Sequence, residues 1–149
     1  MLKYKKMILF LLVNNFIISQ NIEDPFNNSK ILKYRLFHTP PKPLFISQTH
    51  FLDFVTDIPK DSVDEAILFF KTNNMDNYRE FSLLGTHGLY RFKYDPKIYP
   101  GKSIQYYFVL KSGTNIYATP LNSKGKLVPI NKRFLDPVQY YKQRARMNR

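Results

Sequence analysis

The middle of the chain, between Pro43 and Ile130, consists of short runs rich in Phe, Tyr, Ile, Leu and Val, separated by segments rich in Gly, Pro, Asn and Asp. The separating residues are typical of turns, and apolar and polar positions within the runs alternate with the period expected of half-buried strands. A run begins about every ten residues, a spacing typical of antiparallel sandwiches. The pattern predicts seven strands, at residues 44–47, 50–56, 63–72, 78–84, 89–95, 103–111 and 115–119.

Successive side chains of a strand point to opposite faces, so each predicted strand divides into two sets of residues. Where one set contains a charge, such as Asp53 in the second strand and Lys71 in the third, we assign that set to the outer face. The other sets predict a core large enough to hold one domain together without metals or disulfides. The predicted core residues are Leu52, Phe54, Ala66, Leu68, Phe70, Phe81, Leu83, Tyr90, Phe92, Ile104, Tyr106, Phe108, Leu110 and Ile116.

The N-terminal end of the chain follows a different pattern. Lys3, Lys5 and Lys6 precede an apolar run at residues 7–13, and polar residues follow at Ser19 and Gln20. This order predicts a signal peptide over residues 1–19, so we expect a secreted or periplasmic protein. The apolar run is well short of the ~20 residues of a membrane-spanning helix. An uncleaved amphipathic anchor and a buried N-terminal helix are the alternatives.

Length and composition limit what the rest of the chain forms. The 149 residues suffice for one ordinary domain with extensions, and 44% hydrophobic residues are too many for a disordered chain. The absence of cysteine excludes disulfides, thiolate metal ligands and a cysteine nucleophile. Because the prolines at 40, 41 and 43 are incompatible with a helix, we predict a domain start there. The predicted divisions are an extension at 20–37, a sandwich at 38–121 and a tail at 122–149.

The net charge of +12 is distributed unevenly along the chain. Residues 124–149 contain eight basic residues and one acidic residue, whereas the two signs nearly balance between residues 21 and 123. Because a nucleic-acid-binding domain carries its basic surface on its folded body, this distribution argues against a nucleic-acid partner. It indicates either a frayed, solvated end or a tail that contacts an anionic membrane surface. The tail residues predicted to make this contact are Lys132, Arg133, Lys142, Arg144, Arg146 and Arg149.

A short helix is predicted within the tail. Asp136 offers a carboxylate as the helix N-cap, and Pro137 suits the first helical position, where no N–H is needed. Val138, Tyr141 and Ala145 follow at helical spacing and would form a narrow apolar stripe. The stripe would allow the helix to pack on the sandwich or on a partner.

The sequence contains no arrangement of residues typical of catalysis. The three histidines, at 38, 50 and 87, have no metal-binding spacing, and the chain has no nucleophile elbow and no glycine-rich phosphate loop. His87 lies between Gly85 and Gly88, a combination typical of a hairpin turn. We therefore predict no catalytic residue, no metal site and no cofactor, and we expect the protein not to be an enzyme.

Several segments between residues 37 and 120 together carry a resemblance to a known family. They are HTPP at 38–41, VDEAILFFKT at 63–72, YREF at 78–81, LYRF at 89–92, YPGK at 99–102 and IQYYFVLK at 104–111. This succession resembles the immunoglobulin-like or fibronectin type III-like modules of secreted bacterial proteins. The resemblance implies an all-β, antiparallel immunoglobulin-like β-sandwich of about seven strands that acts as a linker, an adhesion module or a sugar-binding accessory. The basic extension departs from the family pattern.

The outer face of the predicted sheet carries many apolar side chains. If the third and sixth predicted strands are neighbours, their outward residues adjoin and form a contact surface, since exposed apolar patches mark interaction sites. The residues of this predicted surface are Ile67, Phe69, Tyr107, Val109 and Tyr117. Alternatively, residues 22–37 or the C-terminal helix of the same chain cover this surface, and no partner binds it.

The function expected from these observations is that of a non-catalytic exported module that binds a protein or polysaccharide at the cell envelope through the outward aromatic face. A carbohydrate-binding accessory domain is the first alternative. A tether to anionic surfaces through the basic tail is the second.

Overall fold

The computed structural model describes residues 31–32 and 35–148. Within this part, ten strands form two sheets, accompanied by a single turn of 3-10 helix, Lys60–Ser62, and by the helix α1, Pro137–Met147. The predicted signal peptide, most of the 20–37 extension and Arg149 lie outside the described residues. The strands are β1 Ile31–Leu32, β2 Leu36–Phe37, β3 His50–Thr56, β4 Glu65–Thr72, β5 Arg79–Ser82, β6 Gly85–Thr86, β7 Leu89–Tyr94, β8 Ser103–Ser112, β9 Asn115–Thr119 and β10 Ile130–Arg133.

The strands are arranged in two sheets. Sheet A has the order β1-β9-β8-β4-β5, with β10 paired to the other half of the β8 edge that β9 occupies. Sheet B has the order β2-β3-β7-β6. The pairs are antiparallel except for β1 with β9. The prediction of an all-β sandwich is therefore confirmed.

Six of the seven predicted strands form in place, and the first does not. Residues 44–47 contribute only an isolated bridge between Phe45 and Leu135. The sequence analysis did not predict β1, β2 and β10, and it assigned residues 85–86, which form β6, to a turn. Two to four residues are too few to display an alternating pattern, so these strands depend on the neighbours with which they pair.

The core lies between the two sheets, and most of the predicted core residues are in it. Leu68, Phe70, Tyr106, Phe108 and Leu110 of sheet A are fully buried, facing buried residues of sheet B. Phe81 and Phe92 are partly buried and pack against this core. A fully buried side chain of this size contributes roughly 1.5–3 kcal/mol, so the aromatic interior is the main source of stability.

The predicted faces of β9 are wrong by one residue. Tyr117 belongs to the core, whereas Ile116 is only partly buried and lies on the outer face opposite Lys111. The sequence of β9, NIYAT, contains no charge, so the rule that placed charged sets outside had no residue on which to act. The register with β8, which pairs Tyr117 with the buried Leu110, determines the faces instead.

The chain beyond β10 closes one end of the sandwich. The backbone N–H of Phe134 donates to the carbonyl of Lys102 at 2.9 Å, and that of Leu135 donates to the carbonyl of Leu44 at 2.7 Å. The Phe134 ring stacks on Tyr94 of the core, with ring centroids 5.4 Å apart. Residues 130–135, placed in the tail by the sequence analysis, are thus integrated in the folded body.

Two local predictions are confirmed, the start of helix α1 at Asp136 and the hairpin turn before β7. The Asp136 carboxylate accepts hydrogen bonds from the backbone N–H groups of Val138 at 2.8 Å and Gln139 at 3.3 Å, which caps α1 as its sequence indicates. His87 and Gly88 form the turn between β6 and β7 with positive φ angles of 52° and 79°. The left-handed conformation at both positions is that of a tight hairpin, and it accounts for a glycine at position 88.

Candidate functional site

The predicted contact surface on sheet A forms in part. Strands β4 and β8 are neighbours, and their register places Ile67 opposite Val109 and Phe69 opposite Tyr107. The rings of Phe69 and Tyr107 stack with centroids 4.9 Å apart, and both residues are half-buried with further interaction partners. The predicted adjacency of these four residues is therefore confirmed.

Two of the five residues of this surface do not face solvent. Tyr117 points inward and is 5% exposed, and Val109 is 3% exposed although it points outward. Ala118, beside Val109 on the outer face, is 6% exposed. The assignment of Val109 and Tyr117 to an open surface is wrong, because alternation determines which way a side chain points and not whether anything packs on it.

The alternative occupants of this face can be compared with the described part of the chain. Within residues 22–37, the structure describes β1, Arg35 and β2. Strand β1 pairs with β9 at the edge of sheet A, and β2 pairs with β3 at the edge of sheet B. Arg35 pairs with Asp57, the residue that follows β3, at 2.9 Å. Helix α1 packs on Phe45, whose ring lies 5.6 Å from that of Tyr140. The described residues thus provide no support for α1 as the cover of sheet A.

A polar region adjoins the stacked rings at one end of sheet A. The hydroxyl of Tyr78 donates to the side-chain oxygen of Gln105 at 3.3 Å, and the ammonium of Lys71 lies 5.2 Å from the centre of the Tyr78 ring. Burial raises the pKa of Tyr78, so its hydroxyl stays protonated at neutral pH. Lys71, Gln105 and Asn131 line a depression of about 260 Å³ here.

The outer face of sheet B carries exposed apolar side chains; the sequence analysis placed two of them, Phe51 and Val55, outside with Asp53 but did not select them as a contact surface. Phe51 and Val55 on β3 and Phe37 on β2 are each about half exposed. Between them Arg91 pairs with Asp53 at 2.8 Å and lies over the Phe51 ring at 4.9 Å. Lys93 lies opposite Phe51 in the register of β3 with β7. Asp53, Arg91 and Lys93 therefore interrupt the apolar area of this face.

Five basic residues of the C-terminal segment have no carboxylate partner among the described residues, and all but the half-buried Lys132 are exposed. Lys142, Arg144 and Arg146 project from α1, and no described carboxylate lies within salt-bridge distance of them, of Lys132 or of Arg133. The carboxylate of Asp136, the acidic residue nearest in sequence, is used to cap the helix. We call these five cations the basic surface; Arg149, also predicted to belong to it, lies outside the described residues.

Helix α1 also exposes apolar side chains. Val138 is 59% exposed, Tyr141 57% and Met147 83%, and none of the helix residues is buried. The predicted stripe of Val138, Tyr141 and Ala145 is therefore open to solvent over most of its length. An exposed helix with both cations and apolar residues has the chemistry of a segment that lies on an anionic surface.

A groove next to α1 is lined by residues of the basic surface together with a lysine from a distant part of the sequence. It is bounded by residues 41–44, by the end of β10 and by α1, and it measures about 290 Å³. Lys42, Lys132 and Arg133 line it together with Leu135 and Tyr140, and no acidic residue is among its described lining. We call this the basic groove. The sequence analysis missed Lys42, since nothing in the local sequence indicates that it meets residues about ninety positions away.

A half-buried histidine, His38, joins the two sheets. The Nδ1–H of His38 donates to the backbone carbonyl of Asp53 in sheet B, and the hydroxyl of Tyr106 in sheet A donates to Nε2 at 2.9 Å. A carbonyl can only accept, so Nδ1 carries a proton, and in the neutral ring Nε2 is then the acceptor for the Tyr106 hydroxyl. Burial lowers the pKa of His38 below its ordinary value of 6.5, and burial also raises the pKa of Tyr106. His38 thus has a hydrogen-bond partner in each sheet, and we call this connection between the sheets the clamp.

The described residues contain no group of three or more His, Asp or Glu side chains that could hold a metal ion. Within residues 31–32 and 35–148, no helix has the length and apolar character needed to cross a membrane. Comparison with known proteins adds no assignment: no family model, no curated protein and no solved structure matches this chain.

Proposed function

We propose that this protein is a non-catalytic module that binds anionic surfaces of the cell envelope through its C-terminal segment. The observation that carries the proposal is the basic surface. Four of its five cations are exposed, Lys132 is half-buried, and none has a described carboxylate partner. Helix α1 also exposes Val138 and Tyr141. Of the functions expected from the sequence, this one is favoured by the geometry, because part of the aromatic face of sheet A is closed to solvent.

The physical basis is electrostatic attraction combined with shallow insertion of apolar side chains. Each Lys or Arg held near an anionic membrane contributes about 1 kcal/mol, an effect that falls off within a Debye length and weakens with salt. Val138, Tyr141 and Met147 offer apolar area beside the cations of α1. A helix of eleven residues is too short to bind strongly by insertion alone, so charge dominates.

The strand order supports a module of the immunoglobulin-like type as the carrier of this helix. The order β2-β3-β7-β6 corresponds to strands A-B-E-D of such a sandwich, and β9-β8-β4 corresponds to G-F-C. On this proposal the sandwich is a stable support, exported by the segment at residues 1–19, and α1 follows its last strands. Sequencing the N-terminus of the mature protein from the producing cell tests the export step.

Vesicle co-sedimentation tests the binding. We expect the full-length protein to bind vesicles of phosphatidylcholine with phosphatidylglycerol, and not vesicles of phosphatidylcholine alone. Replacing Lys142, Arg144 and Arg146 with Gln should weaken binding about a hundredfold at low salt, because three charges are removed.

A matched control separates a specific contact from a general effect of net charge. Lys60, Lys93 and Lys97 are exposed and lie outside the C-terminal segment in sequence, so replacing them with Gln changes the net charge equally. Equal loss of binding in both variants, or binding that is insensitive to salt, would contradict the proposal.

Carbohydrate binding remains a second candidate because of the polar region at the end of sheet A. Tyr78 and Gln105, hydrogen-bonded to each other, lie with Lys71 and Asn131 beside the ring of Tyr107, and aromatic rings with nearby amides are suited to stacking on and hydrogen-bonding to sugars. Retention on immobilised acidic or neutral polysaccharides, lost in Tyr78→Ala, would favour this function. Passage of the wild-type protein through all such columns would exclude it.

A further inference from the structure

We propose that the basic groove binds a phosphomonoester group. The inference rests on the proposed function, for which it names the ligand chemistry. The groove is lined by Lys42, Lys132 and Arg133 and has about 290 Å³ of space. It lies directly beside the exposed helix, since Tyr140 of α1 is part of its wall.

The charge of the groove matches this ligand. A phosphomonoester carries about −1.5 to −2 charges at neutral pH, whereas a phosphodiester carries one. Three basic residues line the groove, and no acidic side chain of the described lining offsets their charge. A doubly charged anion gains more from this uncompensated positive charge than a singly charged anion does, so the groove should prefer the monoester.

The positions of the cations favour a defined site over a diffuse charge. Lys132 pairs with the buried Ile104 in the register of β10 with β8, and its side chain is half-buried. Lys132 therefore leaves β10 on the inward face, whereas Arg133, which pairs with Ser103, leaves it on the opposite face, so the two residues flank the groove from the two sides of one fixed strand. The planar guanidinium of an arginine can donate two hydrogen bonds to phosphate oxygens.

The size of the groove limits what it can hold. Small-molecule sites measure roughly 300–1,000 Å³, so this groove is at the lower end of the range and accommodates a head group rather than a polymer. Packing of Tyr140 against Phe45, with ring centroids 5.6 Å apart, holds α1 beside it. A surface bound by the exposed side of α1 would thus present its head groups near the groove.

Two sources could supply the phosphomonoester, a lipid head group or a soluble phosphate, and the experiment separates them. The lipid arm compares phosphatidylcholine vesicles that contain phosphatidic acid, a monoester, with vesicles that contain phosphatidylglycerol, a diester, at equal surface charge. The soluble arm titrates the full-length protein with inorganic phosphate and follows the backbone amide signals of Lys42, Lys132 and Arg133 by NMR.

We expect the wild-type protein to bind the phosphatidic acid vesicles about tenfold more tightly than the phosphatidylglycerol vesicles. Replacing Lys42, Lys132 and Arg133 with Gln should abolish this preference, whereas the control with Gln at 60, 93 and 97 should keep it. Lys42→Gln alone, an exposed loop change that leaves β10 intact, should reduce the preference about threefold. Shifts of the three amides with inorganic phosphate would mean that the groove also accepts soluble monoesters; shifts with vesicles only would assign it to lipid.

Equal affinity for both vesicles, together with unmoved amide signals in inorganic phosphate, would overturn the inference and leave the proposed function intact. Conversely, a wild-type protein that binds no anionic vesicle would contradict the proposed function. In that case the phosphate titration decides the groove by itself: shifts confined to its residues support the inference, and their absence refutes it.

Discussion

The outer face of sheet A and the basic surface both have sequence patterns that predict contact, yet the folded chain treats them differently. On sheet A, Val109 and Ala118 point outward and are closed to solvent, whereas the cations of α1 remain exposed. The difference follows from hydration. Covering an apolar side chain lowers the free energy of the protein, whereas removing an unpaired charge from water raises it. Exposure can therefore be inferred from sequence for charges more safely than for apolar residues.

The largest expected effect concerns the two faces of β9. Tyr117→Ala removes a ring from the core and should lower the free energy of unfolding by about 3–5 kcal/mol. Ile116→Ala, its neighbour on the outer face, should cost about 1 kcal/mol because Ile116 is only partly buried. Denaturant unfolding of both variants measures the contrast. The reverse order would mean that β9 has the faces predicted from sequence.

A second pair of variants tests whether the outer face of sheet A is closed. Val109→Thr keeps the shape of the side chain but places a hydroxyl where little water is available, so it should cost about 1–3 kcal/mol. Val55→Thr makes the same change on the outer face of sheet B, where the side chain is 49% exposed, and should cost under about 0.5 kcal/mol. Similar losses in thermal unfolding would show that sheet A is as open as sheet B.

The clamp formed by His38 predicts a pH dependence of stability. Burial lowers the pKa of His38 in the folded protein, so the unfolded chain takes up a proton at higher pH than the folded chain does. Stability contributed by neutral His38 is complete above pH about 6.5 and declines as pH falls toward its folded pKa, by at most about 1.4 kcal/mol per pH unit.

Thermal unfolding at several pH values between 5 and 8 measures this decline, since pH is the variable that protonates the ring. His38→Asn should remove that part of the slope, and His87→Asn, a change of an exposed turn residue, should leave it in place. An unchanged slope in the His38 variant would assign the effect to other groups.

The smallest expected effect is the change in protein stability when residues of the basic surface are replaced. Replacing Lys142, Arg144 and Arg146 with Gln should change the free energy of unfolding by under about 0.5 kcal/mol, because these side chains are exposed and make no described ion pair. Circular dichroism melts of this variant and the wild type provide the measurement. A large loss would mean that these residues hold the fold together and are not reserved for a ligand.

The sequence by itself determined the long strands, most of the core and the helix α1. Each of these is encoded locally, by the alternation in residues such as Leu52 and Phe54, or by the Asp136 cap ahead of Pro137. The basic residues at 132, 133 and 142–146 were also identifiable, because a local excess of charge is visible without a fold.

Only the tertiary structure decided which uncharged residues of β9 face inward, whether the outer face of sheet A is open, and which distant residues meet. Tyr117 faces the core because the register with β8 places it opposite Leu110, and Lys42 joins Lys132 because residues 41–44 lie along the end of β10. Strand register and the meeting of distant segments depend on contacts between parts of the chain that the local pattern does not relate. The same long-range pairing that buries the core therefore also creates the groove.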